Sequence, residues 1–125
     1  MVTADFSTEE FEQLVEKALD ELPPRFAELL ENIVVVVEQE PSDHDLEAMD
    51  DEAYERGAEL LGLYRGVPMT RRTHDMLLLP DQVAIFRGPI LRVAHTRPQI
   101  VRQIRETVIH ELGHYFGLGD HDMVF

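Results

Sequence analysis

The tightest constraint on this chain is a long amphipathic stretch near its C-terminus, because a helix with a broad apolar arc needs a partner layer to cover it. Thr96-Arg97-Pro98-Gln99 supplies a cap residue, an early proline and a glutamine placed for a capping box. Ile100, Val101, Ile104, Val108, Ile109, Leu112 and Phe116 then recur at helical spacing. At about 100° per residue they fill an arc of about 80° to 260° measured from His110. The spacing predicts a helix to about Phe116, ended by Gly117, which can turn left-handed.

The rest of the chain offers that covering layer. Ser7-x-x-Glu10 is a capping box, and Phe11, Leu14, Val15, Ala18, Leu19 and Leu22 follow at helical spacing until Pro23-Pro24 ends the pattern. Phe26 to Glu31 adds a helical turn or two. Ile33 to Val37 is β-branched throughout and reads as a buried central strand. Leu60 to Tyr64 reads as a second strand and Val83 to Phe86 as another, stopped by Gly88-Pro89; Met76 to Leu79 is also extended. Ile90 to Ala94 fits strand or loop equally. The acidic residues 42–59 form a surface segment with at most a short helix. The order helix, strands, helix is α+β, one sheet packed on helices in a single domain over residues 1–125.

Composition narrows the functional classes. The formal charge is −14, and residues 1–59 hold 19 acidic and 3 basic side chains against 6 and 8 in residues 60–125. Phosphates are repelled by such a surface, so neither nucleic acid nor an anionic membrane is the expected partner. An acidic face that keeps the chain soluble, or one that attracts basic substrates, accounts for the charge. With no cysteine, disulfides, Cys-ligated zinc and thiol catalysis are excluded. Met1 to Glu12 has no signal-peptide pattern, and Ile33 to Val37 is too short to span a bilayer, so the expected location is the cytoplasm. Asp43, Asp45 and Asp50 lack the glycine and ligand order of a calcium loop.

The chemistry concentrates in His110-Glu111-Leu112-Gly113-His114-Tyr115-Phe116-Gly117-Leu118-Gly119-Asp120, which spells H-E-x-x-H-x-x-G-x-x-D. Histidines four apart lie one helical turn apart on one face, so both imidazoles can reach a single zinc ion. On the wheel they fall off the apolar arc and flank it, as a metal at a cleft requires. Glu111, about 100° round from His110, can approach a water on that zinc and act as general base without ligating the metal. Gly117 lets the chain reverse so that Asp120 returns as third ligand, leaving the fourth position open; His121 is the competing donor. A bare H-E-x-x-H is easily met by chance in a chain rich in His and Glu, whereas the glycine and aspartate at fixed distances are not. His44, His74 and His95 read as ordinary polar residues, with His74 and Arg71-Arg72 candidates to line the cleft. Tyr115 reads as a packing residue, and Gly113 as a point where a neighbour can approach.

Glu59-Leu60-Leu61-Gly62-Leu63-Tyr64-Arg65-Gly66-Val67-Pro68, Leu79-Pro80-Asp81-Gln82-Val83-Ala84-Ile85-Phe86-Arg87-Gly88-Pro89-Ile90 and the H-E-x-x-H segment together resemble the small bacterial zincin-like metallopeptidases over roughly residues 59–120. The resemblance implies a minimal zincin fold: an N-terminal helix, a small mixed sheet and a C-terminal active-site helix. It implies a Zn2+ cofactor, His110 and His114 as ligands, Glu111 as base, and peptide or protein substrates. By analogy the strand Val83 to Phe86 borders the cleft and pairs with an extended peptide. The spacing from His110 to Asp120 is also similar to that of metzincins, with Asp in place of a third His. Only five residues follow Asp120, so the Met-turn of metzincins is missing and Met123 reads as terminal packing. Two other readings stand beside hydrolysis: a zinc-binding module without turnover, and an acidic interaction protein that uses residues 38–59.

Overall fold

The computed structural model describes residues 6–47, 59–66 and 80–116. Helix α1 (Thr8–Asp20) starts at the expected capping box: Ser7 Oγ accepts from the Glu10 amide, and the Glu10 carboxylate accepts from the Ser7 amide. Pro24 opens α2 (Pro24–Leu29), where its missing N–H has no intrahelical duty. A 3-10 turn over Leu30–Asn32 leads into β1 (Ile33–Glu38), and a second capping box at Ser42 starts α3 (Asp43–Leu46). Strands β2 (Gly62–Arg65) and β3 (Asp81–Phe86) follow, then α4 (Arg87–Val93) and the long α5 (Arg97–Tyr115).

The three strands form a mixed sheet in the order β1-β3-β2. β1 runs parallel to β3 with Val35 opposite Val83, and β2 runs antiparallel to it with Tyr64 opposite Val83. The strand expected at the centre from its β-branched run is therefore an edge among the described residues, with Val34 42% exposed. The central strand is β3, whose Val83, Ala84, Ile85 and Phe86 are all fully buried. Five β-branched residues mark a strand with strong pleat preference; they do not fix its place in the sheet.

Alternation decides what each face packs against. Val83 and Ile85 join Phe11, Leu14, Ile100, Ile104, Val108 and Leu112 in one core, to which Val35, Val37 and Tyr64 add partly buried surface. Helices α1 and α5 thus lie on one face of the sheet, and α5 lays its apolar arc on it, as the periodicity required. Phe116 departs from the expected arc: it caps α5, past its last turn, and is 43% exposed. On the opposite face Arg65 passes over the Phe86 ring and pairs with Glu38 on β1 and with buried Asp45 on α3.

Strand β3 ends at Phe86, before Gly88-Pro89 as expected, but that pair lies in the first turn of α4, and Ile90 to Val93 is helical rather than strand or loop. Pro89 occupies a position whose amide lacks an intrahelical acceptor in any case. Gly88 donates to the Gln39 carbonyl at 2.8 Å, and a side chain there would collide with Glu40, so β1 and α4 meet closely at this point. No helix of the described residues is long and apolar enough to cross a membrane.

Candidate active site

Helix α5 meets the sheet along β2, and two rows of side chains one turn apart organise the contact. Thr107, Glu111 and Tyr115 form the row against the strand. The Thr107 methyl fills the space above Gly62: a Cβ on Gly62 would sit 2.6 Å from Thr107 Cγ2 and 2.9 Å from the Ala84 carbonyl oxygen. Glycine in a strand interior marks such a close approach. At the next position along, the Tyr64 amide donates to Glu111 Oε1 at 3.0 Å. The Tyr64 and Tyr115 rings then stack with centroids 3.8 Å apart, and Phe116 meets Tyr64 edge-on at 6.0 Å. Tyr64 Oη donates to Asp81 Oδ2 at 2.7 Å, which ties the aromatic group to the start of β3.

The second row is Glu106, His110 and His114, all exposed. The two imidazole centroids lie 4.2 Å apart with planes inclined by 46°. These histidines stand off the core arc, as the helical wheel places them, and their rings lie side by side over one turn. Together with Glu59 to Leu63, Gln103, Thr107 and Glu111, this row lines a groove of about 580 Å³ between α5 and β2.

The strand bordering the groove is β2. Strand β3, to which the analogy assigned that role, has both edges occupied by β1 and β2. The Leu61 carbonyl accepts from the Phe86 amide and so points at β3. Backbone groups alternate along an antiparallel strand, so Gly62 and Tyr64 direct theirs to the outer edge, beside α5.

Glu111 is half-buried, with Oε1 held by the Tyr64 amide, and among the described residues Oε2 takes no hydrogen bond. The carboxylate is thus oriented from one oxygen and open at the other. The donor chemistry fits zinc: two imidazoles one turn apart supply two of the three protein ligands that a catalytic zinc takes. Among the described residues no group of three possible ligands assembles. Asp120 and His121, the candidates for the third, lie outside the described residues, as do Gly117, His74, Arg71, Arg72, Met123 and Met76 to Leu79. His44 and His95 are exposed and away from the groove.

The zincin-like metallopeptidase family matches residues 30–124, most of the chain and all of the groove. The chain belongs to that family. No curated protein matches it. Among solved structures, this zincin-like chain is similar to a conserved hypothetical protein from Thermo thermophilus, at 26% identity and a TM-score of 0.55, over 89% of this chain and 94% of that one.

Sequence reasoning singled out His110, Glu111 and His114 and missed what positions them. Gly62, Tyr64 and Thr107 are the residues that join α5 to β2. The signal for Thr107 was available, since it lies one turn before Glu111, as was a glycine inside a strand pattern. The Tyr64 amide carries no sequence signal at all.

Proposed function

We propose that this family member is a zinc-dependent peptidase that hydrolyses extended peptides in the groove between α5 and β2. The observation that carries the reading is the joint placement of His110, His114 and Glu111: paired imidazoles on one face, with a carboxylate beside them whose Oε1 is held by the Tyr64 amide. His110 and His114 would hold the metal, with Asp120 or His121 as third protein ligand. When bound, zinc polarises a carbonyl and acidifies a water to a pKa of about 7.

The chain's own residues account for the remaining chemistry. Glu111 Oε2 accepts the proton of the attacking water and returns it to the leaving amine. The Tyr64 amide holds the other oxygen, so the base needs no reorientation when the substrate arrives. A peptide in extended form lies along the outer edge of β2, where Gly62 presents backbone groups for pairing.

Glu111→Gln keeps the shape of the side chain and its contact to Tyr64 but removes the base. The variant is expected to retain zinc while peptide hydrolysis falls by at least about 100-fold. Zinc bound with no peptide of a random library cut by the parent rules out the peptidase reading and leaves a zinc-binding module.

A further inference from the structure

The groove beside His110 is one-sided in charge. Besides Glu111, two carboxylates line it, Glu59 and Glu106, and among the described residues no lysine or arginine does. Glu59 is already neutralised by Arg92. Glu106 is exposed, has no ion pair or hydrogen bond among the described residues, and stands in the same row of α5 as His110 and His114.

We propose that Glu106 selects substrates with a lysine or arginine side chain about two residues from the scissile bond, an inference that rests on the peptidase reading. The distances agree. One turn of α5 separates Glu106 from His110 by about 6 Å along the axis. Two residues of an extended peptide, the repeat of side chains on one face, span about 6.8 Å. With the scissile carbonyl at His110 and His114, the next side chain that faces α5 meets Glu106. The strand edge sets the direction. The Tyr64 amide is occupied by Glu111, so peptide pairing falls to Gly62, beside Thr107 and on the Glu106 side of the histidines.

A cation at that position gains an attractive partner, an acidic side chain is repelled, and a neutral one gains nothing. The overall charge of −14 further favours encounter with basic peptides. The acidic composition and the hydrolytic motif thereby serve one substrate class.

The test uses the full chain with zinc present and a peptide series varied one position at a time through Lys, norleucine and Glu. At one position about two residues from the cut, kcat/KM for Lys is expected to exceed that for norleucine by about two- to fivefold. The ratio falls to about one in Glu106→Gln and turns in favour of Glu in Glu106→Lys. Equal rates in the parent, or a Lys preference that survives both substitutions, overturn the inference while cleavage itself upholds the peptidase reading. Binding of the same peptides to Glu111→Gln separates the two claims. A Lys preference in affinity that depends on Glu106, without cleavage by the parent, overturns the peptidase reading and with it the position assigned relative to a scissile bond, and leaves Glu106 only as a cation contact. No Lys preference in either measurement overturns the inference.

Discussion

Gly62 lacks a side chain because Thr107 occupies its place. The consequence runs directly to Glu111, since the spacing between β2 and α5 is what lets the Tyr64 amide reach its carboxylate. Gly62→Ala forces a Cβ against both a methyl group and the Ala84 carbonyl oxygen, and at least the latter cannot move without opening the sheet. It is expected to destabilise the chain by about 1–3 kcal/mol, by the general effect of overpacking, read as a lower midpoint in urea. Adding Thr107→Ser should recover part of that loss by removing the methyl. An unchanged midpoint in Gly62→Ala, or no recovery in the double variant, contradicts the close approach. At this scale the sequence shows the candidate site groups and hides their supports: His110, Glu111 and His114 are legible from spacing, whereas the anchor of Glu111 is a backbone amide 47 positions away.

Elements are joined across the sheet by Arg65, which reaches from β2 to Glu38 on β1 and Asp45 on α3. Burial pushes the Asp45 carboxyl up, but the Ser42 amide and hydroxyl and the Arg65 guanidinium together outweigh it and hold the group below its ordinary value. Hydrogen bonds from Arg65 likewise hold Glu38 down. Carboxyls depressed in the folded state stabilise it above their unfolded pKa of about 4 and lose that contribution as pH falls through the folded values. The thermal midpoint of the parent should therefore drop more steeply between about pH 5 and pH 3 than that of Asp45→Asn, which keeps a capping oxygen but has no proton to gain there. Parallel profiles would show that Asp45 is not held by its charge. Element boundaries were read well where capping boxes stand, at Ser7 and Thr96. The end of β3 before Gly88-Pro89 was legible too, but the helix that begins there was not, because a pair that breaks a helix interior is tolerated in a first turn. The position of β1 at an edge among the described residues depends on long-range pairing with β3, which no local pattern encodes.

The molecule as a whole reads as a two-layer device: one apolar arc of α5 buries against the sheet while the flanking rows of the same helix build a groove with β2. The α+β class followed from periodicity, because a long amphipathic helix and a β-branched strand have few joint solutions. The pairing of the groove with β2 rather than β3 did not, since it needed the strand order. The account stands on His110 and His114 sharing one metal ion. The direct measurement is the zinc content of the purified, zinc-equilibrated chain beside that of His110→Ala and His114→Ala. About one zinc per chain in the parent, lost in either variant, is the predicted result. A parent that takes up no zinc, or variants that hold it as tightly as the parent, contradicts the account.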